Sequence, residues 1–144
     1  MQQLKRSAMS DTVFTFPVRV YYEDTDAGGI VYYANYLKFF ERARTEWLRA
    51  LGIEQDLLLS KNVAFVVAQV LMDNKKPARF NELLTVSSQI STLKQASMVF
   101  EQKIYNSATE LVCLAQIKVA CVSLPGMKAR AIPAEVAGVL ARGR

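Results

Sequence analysis

The sequence predicts an α+β fold in which one long central helix is wrapped by a curved, mainly antiparallel five-stranded sheet. Three observations carry this reading. One segment, residues 34–51, keeps apolar residues at helical spacing throughout. The remaining patterned segments, 15–22, 63–73, 82–92, 97–106 and 110–123, read as extended chain. The last of them would be about 43 Å long as a flat strand, well beyond a typical one, so it must twist and curl around something. A long helix is the only candidate in so short a chain.

Residues 1–12 are polar and lack periodicity, and read as a mobile N-terminal tail ahead of a single domain, 13–144. In the first strand, Phe16, Val18, Val20 and Tyr22 alternate with Thr15, Pro17, Arg19 and Tyr21, and the early proline places this strand at a sheet edge. In the helix, Tyr36, Phe40, Ala43, Trp47 and Leu51 form one stripe that Leu37 and Leu48 widen, and Gly52 stands where a helix-ending glycine is expected. Lys38, Glu41, Arg42, Arg44, Glu46 and Arg49 make the polar face, expected to be solvated or to meet a partner. Residues 54–59 suggest a short helical turn. Met98, Phe100 and Ile104 share one strand face; Leu111, Cys113, Ala115, Ile117, Val119 and Cys121 share another. Asn106, Ser107 and Ala108 suit a hairpin turn between these two strands, which makes them antiparallel. Beyond Pro133, residues 134–140 read as a short helix.

Composition narrows the function classes. The chain has 144 residues, enough for one core without a disulfide or metal staple, and no apolar run long enough to span a membrane as a helix. With no signal-type segment at the N-terminus, the default address is the cytoplasm. Cys113 and Cys121 sit too far apart along one strand to bridge within it, so both are expected to be reduced and buried. The net charge of +5 comes from scattered basic residues, which fits an anionic ligand and, without a nucleic-acid-binding motif, argues against nucleic acid; membrane contact is expected to be peripheral at most. There is no histidine at all. That removes imidazole-based triads and histidine metal sites, and leaves carboxylate, lysine or tyrosine as general base.

Acids and glycines accumulate between the first strand and the helix, in Tyr21-Tyr22-Glu23-Asp24-Thr25-Asp26-Ala27-Gly28-Gly29-Ile30-Val31-Tyr32-Tyr33-Ala34-Asn35-Tyr36. Asp24, Asp26 and Gly29 match positions one, three and six of an EF-hand loop, but position five is Gly28 and position twelve is Asn35 instead of the bidentate glutamate, so a metal site is not expected. Asp26 precedes Tyr33 by seven residues at the approach to the helix. A carboxylate and free N–H groups at a positive helix end suit attack on a carbonyl whose oxygen becomes negative.

This stretch, continuing through Phe39-Phe40-Glu41-Arg42-Ala43-Arg44, closely resembles the hotdog-fold acyl-CoA thioesterases of the 4-hydroxybenzoyl-CoA thioesterase type, and within them the Tol-Pal-associated acyl-CoA thioesterases. The resemblance extends through Val63-Ala64-Phe65-Val66-Val67, Pro77-Ala78-Arg79 and Ala129-Arg130-Ala131-Ile132-Pro133. It implies an acyl-CoA thioesterase without metal or prosthetic group, CoA being part of the substrate. It makes Asp26 the catalytic carboxylate, nucleophile or general base for water, and the Tyr33 backbone N–H the donor to the thioester oxygen. Tyr33 stands where many Tol-Pal-associated members carry histidine, and resembles the aryl-CoA branch. Gly28, Gly29, Ile30, Val31 and Tyr32 are implied along the substrate, and Lys94, Ser97 and Arg130 are candidates for the CoA phosphates. Tyr32, Tyr36, Phe39 and Phe40 are candidates for shaping the acyl pocket. Relatives assemble as homodimers or homotetramers with sites at subunit interfaces. The alternative is a non-catalytic module of the same fold that binds acyl-CoA or acyl carrier protein.

Overall fold

A computed structural model describes residues 12–143, so the expected tail lies outside the described residues except for Thr12. Among the described residues six strands and three α-helices follow one another: β1 (Phe14–Arg19), α1 (Asn35–Ala50), α2 (Gln55–Ser60), β2 (Val63–Asn74), β3 (Leu83–Leu93), β4 (Ser97–Tyr105), β5 (Leu111–Ser123), β6 (Lys128–Ala129) and α3 (Ala134–Gly143). The sheet is antiparallel with order β1-β3-β4-β5-β2, and the two-residue β6, which the periodicity is too short to reveal, pairs with the end of β5. Pro17 does lie on an edge strand. Register shifts between Val67 and Gln69, Ile90 and Thr92, and Ile104 and Tyr105 bend the long strands around α1. The hairpin turn forms as expected, with the Asn106 carboxamide oxygen accepting from the Ala108 and Glu110 amides.

The core lies between α1 and the concave face. Phe39, Phe40, Ala43 and Trp47 meet Leu84, Val86, Ile90, Met98, Phe100, Ile104, Ile117 and Cys121 there. Helix α1 ends in a Schellman turn: Gly52 takes a left-handed φ of 86°, its amide bonds to Arg49 and the Ile53 amide to the Leu48 carbonyl. Tyr22, expected on the first strand's inner face, is exposed because β1 ends at Arg19 and a 3-10 turn follows at Tyr22–Asp24.

The helix faces differ from the expectation at three places. Leu37 lies outside the stripe and is 36% exposed. Tyr36, Phe39 and Phe40 are packed in the core, and none of them lines the cavity of about 140 Å³ beside Phe65 and Phe100. Arg44, placed by its polarity on the solvated face, is instead 8% exposed. Its Nη1 donates to Gln102 Oε1 at 3.0 Å, and its guanidinium lies 5.9 Å from the centre of the Phe100 ring. Gln102 in turn donates through Nε2 to the Phe40 carbonyl and to Ser88 Oγ. Burial lowers the affinity of Arg44 for its proton, and Glu41 opposes that shift. A long side chain one position off the stripe can thus reach inward when a polar residue on the sheet receives it.

Removing that receiver leaves a buried cation unmatched. Gln102→Leu should therefore lower stability by about 3 kcal/mol in urea unfolding, more than its change in apolar area would suggest. Both cysteines are free and buried, as expected. Burial pushes the Cys113 thiol up to about 12 from 9.0, so the folded chain keeps a proton that the unfolded chain releases. Stability contributed this way is complete below pH ~9 and falls as pH rises toward ~12. Thermal unfolding should show that alkaline loss, with a shallower pH slope in Cys113→Ala.

Candidate active site

The loop between β1 and α1 is a tight hairpin. Thr25 and Val31 pair, the Asp26 amide donates to Ile30 at 2.9 Å, and the Gly29 amide donates back to the Asp26 carbonyl at 3.0 Å. Gly29 sits at φ 77°, the left-handed residue that closes a three-residue hairpin loop and that a side chain would strain. Asp26 Oδ1 accepts the Gly28 amide at 2.9 Å, which turns the carboxylate onto its own loop and fixes it. A Cβ on residue 28 would lie 3.4 Å from that oxygen, so glycine keeps the carboxylate's surroundings open. Asp26 is exposed in the single chain.

The chain then turns directly into α1. The Asn35 amide donates to Tyr32, that of Tyr36 to Tyr33 and that of Leu37 to Ala34, a tightened first turn. The Tyr33 and Ala34 amides have no acceptor among the described residues. They are orphan donors at the positive end of a sixteen-residue helix. The loop is held from the other side by the connection between β2 and β3. Val31 donates to the Ala78 carbonyl and Phe80 to that of Gly29, while the Ala78 amide donates to the Tyr36 hydroxyl. A fixed carboxylate and unoccupied amide donors therefore flank one short segment.

The other expected site residues divide sharply. Gly28 and Gly29 form the loop tip, Ile30 is half-buried and bridged to Arg79, and the exposed Tyr32 and Tyr33 rings lie 5.1 Å apart. Val31 points inward. It is 6% exposed in the core with its amide committed to Ala78, because its alternation with Ile30 turns it inward. Lys94, Ser97 and Arg130 gather elsewhere: the Lys94 amide bonds to Ser97, Ile132 to Gln95, and Arg130 to Cys121. They stand at the Leu93 end of β3, whereas the Asp26 loop adjoins its Leu83 end, the other end of an eleven-residue strand. One chain does not bring the two groups together.

The sequence weighed Asp24 and Asn35 only as EF-hand positions and missed their structural role. Asp24 is buried, with Oδ2 accepting the Tyr21 amide at 2.8 Å. Its carbonyl accepts both the Tyr32 amide and Asn35 Nδ2. The visible signal was an asparagine at the helix start, a position usually read as a cap acceptor, which here acts as a donor to the preceding loop.

A cavity of about 140 Å³ opens beside the β2 edge, lined by Leu48, Phe65, Met98, Phe100 and Val119 with Arg44 on one wall. Among the described residues no cluster of three or more His, Cys, Asp or Glu side chains could hold a metal ion, and no helix is long and apolar enough to cross a membrane.

Comparison with known proteins identifies the family. The family model described as the Thioesterase-like superfamily matches residues 20–140. The acyl-CoA thioesterase YbgC of Haemophilus influenzae is 50% identical over 89% of this chain and 94% of its own length. The acyl-CoA thioester hydrolase YbgC of Escherichia coli O6:H1 is 44% identical over 89% of this chain and 96% of its own. The crystal structure of a probable thioesterase from Bartonella henselae superimposes with a TM-score of 0.79 at 36% identity, covering 84% of this chain and 99% of that one. With its curled sheet, its enclosed helix and these matches across most of its length, the chain belongs to the Thioesterase-like superfamily and has the hotdog fold.

Proposed function

We propose that the chain is an acyl-CoA thioester hydrolase in which Asp26 supplies the reacting carboxylate and the Tyr33 amide stabilises the oxyanion. The observation that carries this reading is the hairpin that fixes Asp26 a few residues before two orphan amides at the start of α1. A thioester carbonyl has little resonance stabilisation, so a positioned carboxylate with an N–H donor suffices without histidine, metal or prosthetic group. Asp26 either attacks the carbonyl carbon or takes a proton from the attacking water. In both routes the C–S bond breaks and CoA leaves as a thiolate that takes up a proton. Direct water attack yields the free acid at once, whereas carboxylate attack leaves an acyl-aspartyl anhydride that a water molecule then hydrolyses, releasing the acid and restoring Asp26.

The site is composite, built by two copies of the chain. β2 is an edge strand with exposed Val67 and Leu71 and no partner on its outer side among the described residues. Antiparallel pairing of two β2 strands about a twofold axis sets the Val63 end of one beside the Asn74 end of the other. The Asn74 end leads through Lys75–Arg79 to the Asp26 loop, and the Val63 end adjoins Ser123, next to Lys128 and Arg130. Lys94, Ser97 and Arg130 of one copy then face the Asp26 loop of the other and meet the CoA phosphates. The cavity beside Phe65 and Phe100 receives the acyl group. Acyl carrier protein, which presents the same thioester, is the alternative carrier.

Release of free CoA thiol from short, long and aromatic acyl-CoAs tests the chemistry. Asp26→Asn should cut turnover about a hundredfold or more, while Tyr33→Phe, which keeps the amide, should stay within a few-fold of wild type. Hydrolysis at wild-type rates by Asp26→Asn would remove this carboxylate from the reaction. The composite arrangement has its own test. Arg130→Glu should raise KM for acyl-CoA, and an equimolar mixture of subunits carrying Asp26→Asn or Arg130→Glu, unfolded and reassembled together, should regain roughly a quarter of the competent sites. No gain above the separately treated variants would place both residues' work within one chain.

A further inference from the structure

The Asp26 hairpin and the start of α1 are separate pieces of backbone, and the catalytic reading above requires them to keep a fixed relation. Ala78 links them indirectly, accepting from the Val31 amide and donating to the Tyr36 hydroxyl, while one atom links them directly. The Asp24 carbonyl accepts the Tyr32 amide at 3.1 Å and Asn35 Nδ2 at 2.9 Å. Asp24 is itself pinned by its side chain to the Tyr21 amide and is buried, so the shared acceptor cannot drift with the exposed loop. Downstream, Asp26 is two residues from this anchor, and Tyr33 lies between the two donors. The Asn35 amide donates to Tyr32 at 2.8 Å, so one residue grips the segment through both backbone and side chain. An asparagine serves here because it places an N–H donor on a short, stiff stem at the first residue of the helix; aspartate has the same shape and offers an acceptor instead.

We propose that Asn35 is a positioning residue, one that holds the Tyr33 amide in register with the Asp26 carboxylate through the Asp24 carbonyl. This rests on the assignment of Asp26 and Tyr33 above. It touches no substrate itself; it sets where the oxyanion donor stands, and a misplacement of about 1 Å at such a donor can cost on the order of a hundredfold in rate. The packing core does not need it: Tyr36, Phe39 and Phe40 fix the helix axis by burial, leaving Asn35 to fix the loop on that axis.

The test is steady-state hydrolysis of one acyl-CoA by full-length wild type, Asn35→Asp, Asn35→Ser and Asp26→Asn, with each variant's folded fraction measured by circular dichroism. Asn35→Asp should lower kcat about tenfold to a hundredfold with KM changed less than about threefold. Asn35→Ser, which keeps a donor on a shorter arm, should recover part of the loss. In amide NMR spectra of Asn35→Asp, the Gly28 and Tyr33 resonances should shift while those of the 106–110 hairpin stay in place. If Asp26→Asn loses activity but Asn35→Asp keeps wild-type kcat, or if its kcat per folded molecule is unchanged, the positioning role is overturned. If Asp26→Asn itself keeps wild-type kcat, the parent assignment fails first, and the inference falls with it.

Discussion

Enclosure of α1 is the constraint on which the other features depend. A sixteen-residue helix with Phe39, Phe40, Ala43 and Trp47 fully covered cannot be buried by a flat sheet, which meets only one stripe. The sheet therefore curls, and its long strands carry bulges where the curl is made. Because β1 lies at one edge and leads straight into the helix, the segment that joins them must cross the mouth of the half-barrel. The helix N-terminus, with its unpaired amides, is consequently held where the loop passes. Burial decides the placement of the helix, and placement of the helix decides where orphan donors can meet a carboxylate.

Within that frame the Asp24–Asn35 segment is a chain of short-range backbone requirements. Asp26 bonds to Gly28, Gly29 takes a conformation that side chains resist, and the Asp24 carbonyl collects two donors. None of these contacts is individually strong, since each exchanges a hydrogen bond to water for one within the chain. Their effect is geometric. They remove alternatives from a loop that is otherwise exposed, which is what preorganised stabilisation of a developing charge requires.

The buried polar cluster of Arg44, Gln102 and Ser88 plays a different part. It lies between α1 and the sheet, away from the loop: Arg44 and the Phe40 carbonyl tie the helix to Gln102 on β4, and Gln102 in turn ties β4 to Ser88 on β3. A cation in the core is costly unless its donors find acceptors, so this cluster makes the register of helix against sheet specific where apolar packing alone would tolerate sliding. The open edge of β2 contrasts with this. Its exposed Val67 and Leu71 and unpaired backbone are features a single chain leaves unsatisfied, and they lie on the route between the two groups of expected ligand residues.

The sequence by itself determined the class of fold and the location of the loop, because periodicity of apolar residues is a local property. The helix over 34–51, the strands apart from the end of β1, the Asn106 turn and the Gly52 stop appeared where the pattern placed them. It also delimited the chemistry, since an absent residue type is legible without coordinates and there is no histidine. Only the tertiary structure decided which polar residues face inward. Arg44 belongs to the polar face by periodicity, yet its long arm reaches a glutamine whose inward aim depends on a strand register set by distant pairing. Val31, read as part of the ligand segment, turned into the core because the hairpin pairs Thr25 with it. Asn35, weighed in the sequence only as an EF-hand position, proved to be a donor, since its partner is the Asp24 carbonyl eleven residues back, brought there by the hairpin. The separation of Lys94, Ser97 and Arg130 from Asp26 is likewise a matter of strand order and direction, which no local pattern contains.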